Sequence, residues 1–147
     1  MASLMNIYIH SYDNPDNPLG HQSSLKVTEV LRKEDQALRR IFGVYQRKIG
    51  GFSKAIPTKL LLKCLKHYEV FPKHISQSES LSLAYSITKA PENTNPAMIG
   101  LNFSQFKEYI CCVAMYFNRH PFIPNDARIR TLLTHFKQFP WPQRTDR

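Results

Sequence analysis

Phe103, Phe106, Ile110, Val113 and Phe117 recur at intervals of three and four residues. That spacing lines one face of an α-helix and has no counterpart in the two-residue period of a strand. A helix from Phe103 is therefore the expected centre of the fold, and the rest of the chain must supply surfaces that cover its apolar face. With 147 residues, 42% of them hydrophobic, there is material for one domain with a modest core and too little for two. Five Gly stand beside ten Pro. Glycine-rich phosphate loops have little raw material, whereas rigid connectors have plenty, so helices joined by proline-marked loops are expected.

The other stripes agree with an all-α chain of about five helices. From Ser23-Ser24, Leu31, Leu38, Ile41, Phe42, Tyr45 and Ile49 predict one long helix ending at Gly50-Gly51, with Arg32, Lys33, Arg39, Arg40, Arg47 and Lys48 opposite. A second helix is expected from Pro57-Thr58, with Leu61, Cys64, Leu65 and Tyr68 on one face, stopping before Pro72. A third follows an N-cap at Ser76 or Ser78 and uses Leu83, Ala84 and Ile87. Lys89 to Gly100 reads as a loop, and a last helix, capped by Asn125 or Asp126, turns Ile129, Leu132, Leu133 and Phe136 inward. Residues 1–24, with Pro15, Pro18 and several Asn but no Lys or Arg, read as an extended arm. Residues 25–137 then form the helical domain and 138–147 a tail around Phe139-Pro140-Trp141-Pro142.

Two stretches, His67 to Glu79 and Met98 to Phe106, look like the loops of a paired EF-hand. The eighth loop position of an EF-hand is an aliphatic residue whose backbone pairs with its counterpart, and the twelfth is a bidentate Glu. Ile75 and Leu101 at the eighth positions put Glu79 and Gln105 at the twelfth and predict a minimal bridge between Ile75 and Leu101. Positions one, three and five are then Tyr68, Val70 and Pro72 in one loop and Thr94, Pro96 and Met98 in the other. Calcium needs six to eight oxygens. The expectation is therefore a pair of degenerate hands held by packing, with no metal and no cofactor.

The run from Ile56 through Phe136 resembles the calcium-independent EF-hand-like domain of ciliary and other microtubule-associated proteins. It has two helix-loop-helix units, a helix reading Leu-x-Phe-x-x-Phe-x-x-x-Ile-x-x-Val-Ala from Leu101, a proline loop and Leu132-Leu133-x-x-Phe136. The resemblance implies a structural or docking role on microtubules or axonemal complexes, with tubulin or other axonemal proteins as partners and a place in the cytoskeleton of cilium or flagellum.

Charge is compatible with such a role. Twenty Lys+Arg against eleven Asp+Glu give +9, a balance that favours acidic partners. The excess lies at both ends of the helical body, with eight Lys/Arg against three Asp/Glu from Leu25 to Lys54 and six against two from Asn118 to Arg147. Either these charges make an ordinary solvated face, or Arg39, Arg40, Arg47, Lys48, Arg128 and Arg130 meet an acidic surface. A basic nucleic-acid-binding module is the rival reading. It calls for exposed aromatics interleaved with Lys/Arg, whereas most aromatics here fall on expected core stripes. Phe139 and Trp141 are candidates either for anchors in a partner's pocket or for a cap on the domain's own core.

Enzymatic signatures do not occur. The chain has no Gly-x-Ser-x-Gly elbow, P-loop, dinucleotide fingerprint or His-Glu-x-x-His, so a non-enzymatic protein is expected. Cys64, Cys111 and Cys112 with His67, His120 and His135 could supply zinc ligands, but there is no Cys-x-x-Cys, and adjacent helical residues diverge by about 100°. Buried thiols in a reducing compartment are the better account. A contact made by His67 or His74 could be pH-sensitive, against an ordinary surface role. The N-terminus lacks a basic segment before its short apolar run, no stretch approaches the roughly 20 apolar residues of a spanning helix, and the C-terminus carries no lipidation signal. A soluble cytoplasmic protein, not inserted in a membrane, is the expectation.

Overall fold

The computed structural model describes residues 18–49 and 53–143. Its elements, in chain order, are α1 (Pro18–Lys33), α2 (Asp35–Tyr45), β1 (Arg47–Ile49), β2 (Ser53–Pro57), α3 (Thr58–His67), α4 (Gln77–Thr88), a 3-10 turn (Pro96–Met98), β3 (Gly100–Leu101), α5 (Phe103–Phe117) and α6 (Asn125–Phe136). The central helix begins at Phe103 as its stripe predicts, and Phe106, Tyr109, Ile110, Cys111, Cys112, Val113 and Ala114 are buried along it. Helices α4 and α6 pack on α5 directly, and α2 lies across it through Phe42, whose ring meets Phe103 at 5.5 Å and Phe106 at 5.9 Å.

The expected single helix from Ser23 to Gly50 is two helices. Glu34 falls on the apolar stripe between Val30 and Leu38, where an ionised side chain cannot be buried without a partner. The chain leaves helical geometry at Glu34, whose carboxylate turns to Lys137 Nζ at 3.0 Å. Val27 and Val30 of α1 then pack with α6, while Leu38, Ile41 and Tyr45 of α2 face the inner core. The helical backbone also starts earlier than expected, at Pro18, so positions 18–24 belong to α1 and not to an extended arm. The remainder of the expected arm, residues 1–17, lies outside the described residues, as do Gly50 and Gly51.

A second correction concerns fold class. The molecule is mostly helical but not purely all-α, because β1, β2 and β3 form a three-stranded antiparallel sheet in that order. Ile49, expected on the helical stripe, pairs with Ser53 in the β1–β2 hairpin. Leu101, expected to bridge to Ile75, pairs instead with Ile56, and Gly100 pairs with Pro57. Ile56 and Leu101 are both fully buried. Their backbone polar groups are out of reach of water and need partners, which a strand pairing supplies. Ile75 is buried too, in the connection between α3 and α4.

The pairing joins two similar units. In α2–β2–α3 and in α4–β3–α5 a helix leads through a loop into a short strand, and the second helix starts two residues after Ile56 and after Leu101 respectively. Thr58 Oγ1 donates to the Pro96 carbonyl at 3.1 Å, a further tie between the two loops. Polar caps set the helix starts in the second unit. Ser76 accepts from Glu79 N–H and Glu79 Oε1 accepts from Ser76 N–H, a capping box repeated by Asn102 and Gln105 on α5. Ser76, not Ser78, is thus the cap of α4. On α6 neither Asn125 nor Asp126 is the cap; Pro124 occupies that position in extended conformation, and Asn125 opens the helix.

Candidate interaction surface

The six basic residues singled out from the sequence have different fates. Arg39 donates through Nε to Asp35 Oδ2 at 2.7 Å and lies over the Phe103 ring at 4.3 Å. Arg40 covers the Trp141 ring at 4.2 Å. The Arg47 guanidinium donates to the carbonyls of Val44 at 3.0 Å and Gln46 at 2.7 Å. Arg130 pairs with the buried Asp126 one turn earlier, at 2.7 Å. Arg128 is a correction: it is buried, and its Nη2 donates to the His120 carbonyl at 2.6 Å, so it fastens the loop before α6 and is not available to a partner. Lys48 alone of the six is exposed with neither an ion pair nor a ring contact among the described residues, Arg40 being exposed but engaged by Trp141.

Strand pairing brings a lysine missed in the sequence next to it. Lys48 lies directly opposite Lys54 across the β1–β2 hairpin, and Lys54 is likewise exposed without an ion pair among the described residues. The available signal was Gly50-Gly51, a glycine pair of the kind found in hairpin turns, read from the sequence only as a helix end. The hairpin sits inside a longer asymmetry: between Asp35 and Glu69 the chain carries eight Lys/Arg and no Asp or Glu. Three of the eight are the arginines already engaged on α2 and β1.

Phe139, Pro140 and Trp141 of the tail fold back on the domain. Phe139 packs edge-on to Tyr68 at 6.0 Å and to His135 at 5.0 Å, and the Pro140 carbonyl accepts from His67 Nε2 at 2.8 Å. Trp141, 41% exposed, lies under Arg40 and helps enclose an apolar cavity of about 290 Å3 with Ala37, Ile41, Leu133 and Phe136. The same region is knitted by His135, whose Nε2 donates to the Tyr68 carbonyl at 2.7 Å, and by His74, whose ring lies 4.6 Å from Phe117. Partial burial, reinforced by Lys73, His135 and Arg119, holds the His74 ring below the usual histidine range. Phe139 and Trp141 therefore cap the domain's own core in this structure.

The thiols are inert by position. Cys64, Cys111 and Cys112 are unbridged and buried, and burial pushes the Cys64 and Cys111 thiols far above their ordinary range. Among the described residues no three His, Cys, Asp or Glu side chains converge on a position that could hold a metal ion. No helix among them is long and apolar enough to cross a membrane. The large apolar side chains that stand out furthest into solvent among the described residues are Phe122 at 87% exposure in the proline loop before α6 and Met98 at 65% in the 3-10 turn before β3, followed by Leu25 on α1.

No family model, curated protein or solved structure matches the chain.

Proposed function

We propose that this protein is a non-enzymatic docking scaffold of a microtubule-based assembly, with a cilium or flagellum as its setting. Its body is read as a pair of EF-hand-like units that work without calcium. The observation that carries the reading is the antiparallel pairing of Ile56 with Leu101 between two helix–strand–helix units. In an EF-hand pair the eighth loop residues make this contact and the following helix begins two residues on, the spacing found at Thr58 and Phe103.

In that register the loops cannot supply a calcium shell. Positions one, three and five are Ile49, Gly51 and Ser53 in the first loop and Thr94, Pro96 and Met98 in the second, with Leu60 and Gln105 at the twelfth. None is a carboxylate, and Gln105 Oε1 already accepts from Asn102 N–H at 2.9 Å. The donor set does not fit the ion. Packing holds the units instead, and the surface left over, with exposed lysines and the projecting Phe122 and Met98, suits adhesion to other proteins.

Pelleting the full chain with tubulin polymer across a salt series, beside binding to DNA and RNA, tests the proposal. Saturable co-pelleting that weakens with salt is the expected result. Tight nucleic-acid binding without pelleting overturns it in favour of a basic nucleic-acid module.

A further inference from the structure

We propose that the outer edge of β1, with Lys48 and Lys54 beside it, is a docking edge for an extended acidic segment of a partner protein, which adds to the sheet as a new strand. Strand β1 is the end strand of the order β1-β2-β3. On the side away from β2 its alternate N–H and C=O groups have no strand to pair with among the described residues, which is the requirement for strand addition.

Charge selects the occupant. Lys48 and Lys54 are cross-strand neighbours, and like charges directly opposite destabilise a hairpin. The nearest acids in the sequence, Asp35 and Glu69, lie outside the hairpin, and Asp35 is bound by Arg39 and Lys107. An incoming strand with Glu or Asp at alternate positions would place carboxylates beside these ammonium groups while its main chain pairs with β1. The same lysines repel a second copy of this edge, so charge that attracts an acidic strand also opposes self-association. A nucleic acid is the poorer occupant, because a phosphodiester backbone offers acceptors only and leaves the outward carbonyls of β1 unpaired.

The inference rests on the docking reading above, but its test needs no microtubules. The full chain is titrated with a short peptide alternating glutamate and threonine, followed by calorimetry and by backbone amide exchange at Arg47 to Ile49. Exchange slows on saturation at the outward-facing amides of this strand, and the peptide with glutamine for glutamate binds at least about fivefold more weakly. In Lys54→Glu the affinity for the acidic peptide falls by a similar factor while the melting temperature stays level or rises, since the substitution removes the like-charge pair. Peptide binding that leaves these amides unchanged overturns the proposal. Equal affinity for the glutamine peptide overturns it too, as does a thymidine oligonucleotide that binds as tightly and protects the same amides. Peptide binding without co-pelleting keeps the edge site and removes the microtubule assignment; co-pelleting without peptide binding does the reverse.

Discussion

Buried polar atoms are where single substitutions speak most clearly. Ser80 and Tyr109 share a hydroxyl–hydroxyl bond between α4 and α5, both fully buried. Removing one partner strands the other, at a cost of about 1–3 kcal/mol, whereas removing both leaves nothing unsatisfied. Urea unfolding of Ser80→Ala, Tyr109→Phe and the double variant should therefore give a double-mutant loss smaller than the sum of the singles. Glu108 carries the opposite lesson. Its Oε1 is buried without a hydrogen-bond partner among the described residues, and burial raises its carboxyl above the ordinary value of 4.5, with Lys89 pulling the other way. The unfolded chain ionises this group at lower pH than the folded chain does, so ionisation favours unfolding. Its contribution to stability is fully present below the unfolded value and is lost as pH rises through the raised folded one. Glu108→Gln should raise the melting temperature at neutral pH and leave it unchanged in acid. Neither site was legible beforehand, because Ser80 and Glu108 look like ordinary polar positions on amphipathic helices until the neighbouring helix is in place.

At the scale of elements, local chemistry and long-range pairing divide the work. The capping boxes at Ser76/Glu79 and Asn102/Gln105 satisfy exposed N–H groups within one turn and could be read directly from spacing. Ser76→Ala and Asn102→Ala should each lower stability by about 1 kcal/mol, measured by chemical denaturation. The cap interactions also hold the Glu79 carboxyl below its ordinary range, the Ser76 backbone N–H first among the causes. The strands were not readable in this way. Gly100-Leu101 is two residues long and β1 three, too short for an alternating pattern to register. What makes them strands is a partner elsewhere in the chain. Ile75 and Leu101 shared a plausible loop register in the sequence, yet Ile56 takes the place beside Leu101. The helix break at Glu34 was not read from the sequence, and the partner its carboxylate finds there, Lys137, lies far along the chain.

For the whole molecule the decisive contact is between the end of α3 and the last helix, α6. Tyr68, where α3 gives way to the connection to α4, stacks on Phe136 of α6 with ring centroids 4.1 Å apart, and the tail closes over both. Deleting residues 139–147 removes the half-buried Phe139, the cover that Trp141 gives the cavity and the Arg40–Trp141 contact, itself worth about 0.5–1 kcal/mol. The isolated protein should then melt at lower temperature, and Trp141→Ala should reproduce only the smaller part of that loss. An unchanged melting curve would mean that the tail adds nothing to the core it covers.

The periodic apolar residues, the prolines between them and the capping side chains were enough by themselves to establish a largely helical chain centred on Phe103–Phe117, because each of these signals acts within a few turns of its own position. They also established the basic excess, since charge is additive along a sequence. Which basic groups stay available was settled only in three dimensions. Arg39, Arg40, Arg47, Arg128 and Arg130 find acids, rings or carbonyls within the molecule, and Lys48 meets Lys54 only because the chain reverses between them. Partner choice depends on distances across the fold, and those arise when Ile56 and Leu101 pair and the tail closes on Tyr68.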